Sequence, residues 1–271
     1  MSFLTAAGVR SCLSALALSA IVASPAEAMN VSPMVIELAS AGTRSTARIQ
    51  VINVLKQDLP YEVRIYRVDF KENGELSEKP ADTDFVVFPP QGILKFNQRQ
   101  FVRLQWVGGA MDSSRAYYAS IDQLPVVLDP SKINKKKASV DVQLVYHLKV
   151  LVTVAPPGAA ARVSVESAKP AMVPVGTASD SSSGKTKAQT VPGLSVTVRN
   201  SGKRYAMLAS ANWTIQGKDV DNKPLRIVLT SAQMGRILGA GYLPALTGRR
   251  TFQVPTGAKF GNSPISIKFS D

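Results

Sequence analysis

Few side chains in this sequence could carry out acid–base, nucleophilic or metal chemistry. The 271 residues include one cysteine, Cys12, and one histidine, His147. This composition excludes a disulfide framework and zinc sites of the Cys₄ or Cys₂His₂ type. His147 is therefore the one imidazole available for Ser–His or Cys–His catalysis. There is no G-x-S-x-G motif and no convincing pair of carboxylates, so a hydrolase has little support. The sequence implies no metal and no cofactor.

The net charge of +13 lies mostly in the second half of the chain. Residues 158–271 contain 15 Lys and Arg against 5 Asp and Glu. A basic surface usually keeps a protein solvated and soluble. The more specific alternative is that it binds an acidic partner, such as an acidic protein surface. No basic motif is interleaved with aromatic residues, so we do not expect nucleic-acid binding.

Residues 1–28 have the features of a secretory signal peptide. Arg10 precedes an apolar stretch from Cys12 to Ala23, and Ala26-Glu27-Ala28 forms an A-x-A cleavage site. The apolar stretch is too short to span a membrane. A buried N-terminal helix is the alternative. We predict cleavage after Ala28 and export of a chain that lacks cysteine.

Alternating apolar and polar residues predict an immunoglobulin-like β sandwich over residues 29–157. Turn signals and prolines separate the predicted strands, and Trp106 is expected in or near the core. The predicted strands are Val31–Leu38, Thr46–Val54, Tyr61–Phe70, Phe85–Phe88, Phe101–Trp106, Tyr117–Leu124 and Val140–Val154.

A stiff linker, residues 155–158, precedes a second, smaller β sandwich over residues 158–271. Trp213 is expected to pack in its core. Between its first two strands, Val175–Val191 is rich in Ser, Thr, Gly and Lys and has no aromatic residue. This composition predicts a disordered or mobile loop. The fold class is therefore predicted as all-β, with two immunoglobulin-like domains.

The segment Val140–Val154 is unusually long for a strand. Its 15 residues would span roughly 50 Å, about twice a usual strand or more. Every second residue, from Val140 to Val154, is apolar. One half of this strand can be buried in the core of its own domain. The other half has two interpretations: it also lies in the core, or it is presented to another protein. An exposed apolar edge invites pairing, so we expect self-association of the free protein.

Several motifs, in this order and spacing, resemble the periplasmic pilus chaperones of the PapD-like family. The resemblance covers nearly the whole mature chain. The motifs are Val31-Ser32-Pro33, Asn53, Pro60-Tyr61, Phe88-Pro89-Pro90, Gln100-Phe101-Val102-Arg103-Leu104, Tyr117-Tyr118, Gln123-Leu124-Pro125, the long strand with Lys149, and Val198-Arg199-Asn200-Ser201-Gly202.

The resemblance implies two immunoglobulin-like domains set at an angle and a non-enzymatic role in the periplasm. Such chaperones bind pilus subunits that lack their last strand, insert apolar side chains of their own long strand, and deliver the subunit to an outer-membrane usher. Strand addition of this kind is a recognised binding mode. Lys149 is similar to the lysine that anchors the subunit carboxylate. The predicted inserting residues are Val140, Val142, Leu144 and Tyr146.

Two departures from the family pattern suggest a divergent, archaic-type branch. No Lys or Arg occurs between Met29 and Thr43, and Met34 stands about where the family has an arginine. Another base must replace that arginine, or Lys149 acts alone. The family often has an acidic residue just before the proline that ends its sixth strand, whereas Gln123, next to Asp122, is nearer that place here.

Three further features have plainer interpretations. Arg103 resembles a family arginine that forms a structural ion pair. His147 shares the parity of Lys149 and is either a structural residue or a residue of the same cleft. The charged segment Lys132–Lys137 is predicted to be a solvated loop. The alternative function is an exported adhesive or ligand-binding β protein, although no clustered aromatic residues suggest a sugar platform.

Overall fold

The computed structural model describes residues 29–125, 145–179 and 186–270. These residues form two β domains with separate hydrophobic cores, so the prediction of an all-β, two-domain fold is confirmed. The α-helix of this part of the chain is short, spanning Ser231–Leu238. No helix within the described ranges has the length and apolar character needed to cross a membrane.

The first domain packs two sheets face to face. One sheet has the strand order β1-β3-β8-β6, and the other has the order β2-β10-β9-β4-β5, with β7 also paired to β4. The strands are β1 (Met29–Ser32), β2 (Val35–Ala39), β3 (Thr46–Asn53), β4 (Leu59–Phe70), β5 (Leu76–Pro80), β6 (Phe85–Phe88), β7 (Gln91–Leu94), β8 (Arg99–Trp106), β9 (Arg115–Gln123) and β10 (His147–Ala155).

The predicted strand Val31–Leu38 is divided between the two sheets at Pro33. β1 runs antiparallel to β3, whereas β2 runs parallel to β10 and places Val35 opposite Leu151. Proline has no N–H to donate to a ladder, and this explains why pairing stops there. As a result, β2 reaches β10 only from Leu151 onward.

The second domain is a smaller sandwich of two three-stranded sheets. Their orders are β11-β12-β17 and β15-β14-β18, and β13 pairs with β16. Trp213, like Trp106 in the first domain, lies in the core as predicted. The elements are β11 (Val163–Ser179), β12 (Thr186–Asn200), β13 (Ala206–Met207), β14 (Asn212–Lys218), β15 (Pro224–Leu229), α1 (Ser231–Leu238), β16 (Tyr242–Leu243), β17 (Gly248–Pro255) and β18 (Ser266–Ser270).

Helix α1 was not predicted from the sequence, but its start follows a local rule. The Thr230 hydroxyl accepts a hydrogen bond from the Gln233 amide, and the Gln233 side chain accepts one from the Thr230 amide. This reciprocal capping box satisfies two main-chain donors that the first turn leaves open. Met234 then anchors the helix in the second core.

The prediction of a disordered loop over Val175–Val191 was wrong for the residues that the structure describes. β11 continues to Ser179 and β12 starts at Thr186, so the described parts of the segment lie in two long, antiparallel paired strands. The third strand, β17, pairs with β12 only from Gly193 to Asn200. Main-chain pairing needs no apolar side chains, and composition alone therefore missed it. Residues 180–185 lie outside the described ranges.

The two domains meet over a small apolar cluster. Leu151 and Ala155 of β10 pack there with Tyr205 and Tyr242 of the second domain. The tyrosine rings stack with centroids 5.7 Å apart. Burial raises the pKa of the Tyr205 hydroxyl to about 12, and it is therefore neutral at physiological pH. The predicted domain boundary between residues 157 and 158 lies between β10 and β11 and remains a prediction.

Candidate functional site

Strand β10 has two different halves. β9 pairs with the strand from His147, opposite Asp122, to Val154, opposite Arg115. On the other side, β2 pairs only with Leu151–Ala155. Within the described residues, His147–Val150 therefore has a neighbouring strand on one side only. We call His147–Val150 the open edge.

Two of the four residues of the open edge direct their main-chain groups away from β9. The Leu151 amide donates to the Met34 carbonyl at 3.0 Å on the β2 side, whereas the Tyr146 carbonyl accepts from the Gln123 amide of β9 at 2.9 Å. Alternate residues of a strand direct their main-chain groups to opposite sides. His147 and Lys149 consequently direct theirs toward the side where β2 is absent. This edge has the geometry that an added strand requires.

The inner face of β10 follows the alternation predicted from the sequence. Val150, Val152 and Val154 are buried in the first core, and Leu148 and Tyr146 pack against it while partly exposed. The predicted inserting residues Val140, Val142 and Leu144 lie outside the described residues. Their role in binding stays a prediction, as does that of Tyr146.

The outer face of β10 changes from apolar to charged along its length. Leu151 is buried at the domain interface, and Lys149, two residues earlier, is 40% exposed. The Lys149 Nζ lies 2.8 and 2.7 Å from the two carboxylate oxygens of Glu78 and 5.7 Å from the centroid of the Tyr118 ring. Lys149 is thus already paired with a carboxylate of its own chain.

Tyr118 lies among several charges at this place. Burial raises the pKa of its hydroxyl, and the negative charge of Glu78 raises it further. The positive charges of Lys149 and Arg250 act in the opposite direction. The net pKa is raised, and the phenol is accordingly neutral and able to donate a hydrogen bond at physiological pH.

His147 lies at the outer end of the open edge on the same face as Lys149. Its Nδ1 is 2.8 Å from Asp122 Oδ1, and the same oxygen accepts a hydrogen bond from the Ser120 hydroxyl at 2.6 Å. Asp122, the neighbour of Gln123 at the second departure from the family pattern, therefore fixes the orientation of His147. The structure brings His147, Lys149 and Tyr118 to one face of the sheet.

Two other predicted positions lie elsewhere. Arg103 is on the exposed face of β8, where its Nη2 donates to Gln105 Oε1 at 3.1 Å. Its cross-strand neighbours are Arg48 and Phe88, and among the described residues it forms no ion pair. The predicted ion pair is not found there because neither neighbour is acidic. Met34 is 47% exposed beside the open edge and supplies no charge. Lys132–Lys137 lies outside the described ranges.

Sequence reasoning did not single out Glu78 or Arg250. Glu78 is 71 residues before Lys149 and belongs to a hairpin strand, β5, that was not predicted. Arg250 comes from β17 of the second domain, yet its guanidinium lies 5.6 Å from the ring of Phe70 in the first. No local sequence pattern marks either residue, because the surroundings of each depend on contacts between segments that are distant in the sequence.

A surface groove of the second domain lies away from β10. It has a volume of about 540 Å³ and lies between β11 and β18 of the second domain, lined by apolar and small residues such as Val165, Ile267 and Phe269. No predicted site residue lines it. We base the candidate site on the open edge instead, because that is where unpaired main chain and charged side chains meet.

No family model and no curated protein matches this sequence. The structure, in contrast, is similar to solved fimbrial chaperones. A class 5 fimbriae chaperone, CfaA, matches with a TM-score of 0.52 at 10% identity, over 90% of this chain and 92% of that one. A chain from a chaperone–tip adhesin complex of CFA/I fimbriae matches with a TM-score of 0.50 at 11% identity, over the same shares. The resemblance read from the motifs is thus confirmed at the level of the fold, and this chain has the two-domain, immunoglobulin-like fold of the PapD-like pilus assembly chaperones.

Proposed function

We propose that this protein is a non-enzymatic periplasmic chaperone that binds pilus subunits by adding a strand to them and delivers them to an outer-membrane usher. The observation that carries the proposal is the open edge of β10, which includes Lys149. The similar fold of a chain from a chaperone–tip adhesin complex supports it. We also propose that the chain is exported, that it delivers its subunits to an usher and that it catalyses no reaction.

The open edge supplies the main-chain part of the binding. A subunit strand placed beside His147–Val150 would receive hydrogen bonds from the groups that β2 leaves unpaired. The apolar residues before it, Val140, Val142 and Leu144, would fill the groove of the subunit. Apolar burial of about 25 cal/mol per Å² would provide most of the affinity, and the main-chain ladder would set the register.

Lys149 would bind the carboxylate at the end of the subunit chain. The lysine is on the outer face of the sheet, two residues from the domain interface at Leu151. A subunit strand that runs along the open edge would end near it. An ammonium–carboxylate contact is a charge-assisted hydrogen bond, which is stronger than a neutral one.

The first experiment is co-purification from periplasmic extract of cells that express this chain with the neighbouring genes. We expect a small pilin-like protein to co-elute at one to one. Leu144→Glu should abolish co-elution, because the apolar groove would reject a charge. Val228→Glu is the matched control, since Val228 is an exposed valine on β15 of the second domain. An equal loss in both variants, or no co-eluting protein with the folded wild type, would contradict the proposal.

A proline substitution tests the main-chain role of the open edge. His147→Pro removes an amide that points away from β9 and should reduce co-elution at least tenfold with little loss of stability, because proline is tolerated on such an edge. His147→Ala is the control for the side chain and should retain binding. Co-elution of His147→Pro at the wild-type level would exclude strand addition at this edge.

A further inference from the structure

The second domain closes its sandwich on one side and leaves it open on the other. On the closed side, helix α1 follows β15 directly, contacts β17 and buries Met234 in the core. On the open side, the edge strands β11 and β18 line the groove of about 540 Å³. Among the described residues, no strand pairs with the outer edge of β11 or of β18. We call this place the lateral groove.

Both walls of the lateral groove are apolar. Their side chains pack against the second core but stay partly exposed, whereas Leu194 and Val196 of the central strand β12 are fully buried. Apolar side chains placed between the walls would cover this surface and gain from its removal from water. The wall residues are Val163, Val165 and Ala168 on β11, and Ile265, Ile267 and Phe269 in or beside β18.

Of the two edges, that of β18 is the regular one. All five residues of β18 pair in register with β14. In contrast, β11 has a bulge at Glu166, which has no cross-strand partner on β12 and forms ion pairs with Arg199 and Arg249 instead. A bulge disrupts the ladder and protects an edge from further pairing. An added strand therefore fits beside β18 and not beside β11.

The outer face of the β15-β14-β18 sheet is basic. Lys268 of β18, Lys218 of β14 and Arg226 of β15 lie on this face, and the three strands contain no Asp or Glu. Within the described ranges, none of the three cations forms an ion pair. A strand beside β18 would thus have the apolar groove on one face and Lys268 next to its other face.

A second copy of this chain is a poor occupant of the same edge. In the register that pairs all five residues of β18 with those of another copy, Lys268 would lie directly opposite Lys268. Like charges in that position destabilise a sheet, whereas opposite charges stabilise it. An acidic side chain on the added strand is therefore the complement of Lys268.

We propose that the lateral groove binds an extended segment of a partner protein in which apolar residues alternate with Asp or Glu. The segment pairs with the edge of β18, directs its apolar residues between Val165 and Ile267, and places its acidic residues beside Lys268. The five residues of β18 span about 17 Å, so a segment of about five to seven residues fills the site. The site is separate from the open edge of β10, and the inference goes beyond the proposed function.

A synthetic peptide of about seven residues that alternates valine and glutamate is the probe, with both ends blocked to remove terminal charges. We would follow the ¹⁵N amide signals of the labelled protein during titration with this peptide. We expect saturable shifts at Ile267 and Lys268. A peptide of the same composition, with its valines and glutamates in two blocks, should bind about tenfold more weakly, because only alternation directs every valine into the groove.

Charge reversal at one exposed position gives the sharpest comparison. Lys268→Glu should raise the Kd of the valine–glutamate peptide about threefold and lower that of a valine–lysine peptide by a similar factor, because it exchanges attraction and repulsion. Arg226→Glu is the matched control, since Arg226 lies on the same face two strands away, and each Kd should change less than about twofold.

A charge inside the groove tests the apolar part of the site. Ile267→Glu should abolish peptide binding, because the apolar walls would reject the carboxylate. If this variant melts far below the wild type, the comparison of Lys268→Glu with Arg226→Glu decides the question.

Three results would overturn the inference. The first is a set of peptide-induced shifts confined to β10, and the second is an equal Kd for the alternating and the block peptide. The third is a β18 signal that responds to protein concentration and not to peptide, since the occupant would then be a second copy. Leu144→Glu should bind the peptide as the wild type does and should still lose the pilus subunit, so this inference and the proposed function can fail independently.

Discussion

The two halves of β10 belong to one strand but lie in opposite surroundings. Leu151–Ala155 pairs with β2 throughout and with β9 as far as Val154, and the second domain lies against its outer face. Among the strands that the structure describes, His147–Val150 has only β9 as a neighbour, and its outer face carries His147 and Lys149. The neighbours of Leu151–Ala155 hold that half in place, whereas His147–Val150 keeps one edge available for pairing with another strand. A single strand can thus be anchored firmly at one end and offered to a partner at the other.

The difference originates where β2 begins. Pro33 interrupts the first strand, and the chain joins the second sheet only at Val35, opposite Leu151. A β2 that began four residues earlier would cover His147–Val150. The cost of an unpaired edge is the risk of pairing with the wrong chain. The charges on its outer face and the ion pairs that they form limit that risk.

We call Leu151–Ala155 the anchored half of β10. The largest effect on stability is expected from a charge placed in this half. Leu151 is 6% exposed and packs against both interface tyrosines. Leu151→Asp should lower the free energy of unfolding by about 3–5 kcal/mol, because it removes apolar contacts and buries an unpaired carboxylate. Urea unfolding followed by fluorescence measures this change. A loss below about 1 kcal/mol would mean that the domains do not depend on this contact.

The anchored half should also be sensitive to alkaline pH. The pKa of the Tyr205 hydroxyl is raised by burial to about 12, against about 10 in the unfolded chain. Its contribution to stability is therefore complete below pH 10 and is lost as the pH rises to about 12, on the order of 2 kcal/mol. Urea unfolding between pH 9 and 12 tests this. In Tyr205→Phe the free energy of unfolding should decrease less over this pH range. An equal decrease would mean that other tyrosines cause the effect.

Hydrogen exchange compares the two halves directly. The amides of Lys149 and Leu151 point to the same side of β10. In the described ranges only the Leu151 amide has an acceptor strand there, at the Met34 carbonyl next to β2. At low protein concentration the Lys149 amide should exchange at least tenfold faster than that of Leu151, which corresponds to about 1.4 kcal/mol. A rise in protein concentration should slow exchange at Lys149 if copies pair through the open edge. Equal rates at every concentration would show that both halves are covered.

The smallest effect is expected for the stability of Lys149→Ala. The Lys149–Glu78 pair is partly exposed on both sides, and such pairs contribute up to about 1 kcal/mol. We expect a change in the free energy of unfolding below that value together with a clear loss of subunit co-elution. Subunit yield at the wild-type level would remove the carboxylate role of Lys149. Strong destabilisation would show that the pair is structural.

Local patterns of apolar and polar residues predicted the strands whose side chains alternate between the core and the outer face. The alternation from Tyr61 to Phe70 matches β4, and that from Leu148 to Val154 matches the core-facing side of β10. Both tryptophans lie in cores as expected. The loop predicted over Val175–Val191 was wrong for its described residues, because their pairing rests on main-chain bonds, which composition does not report. Helix α1 was missed because it is short and follows a strand.

The amino-acid sequence by itself determined the all-β class, the two sandwiches, the charged outer face of β10 and the absence of a base near Met34. Only the tertiary structure decided where β2 leaves β10 uncovered, which carboxylate pairs with Lys149 and which arginine approaches from the second domain. Alternation within a strand follows from the two-residue repeat of the extended backbone. The pairing of Glu78 with Lys149, 71 residues apart, depends on how β5 and β10 are placed by the sheet between them, and no local pattern encodes that distance.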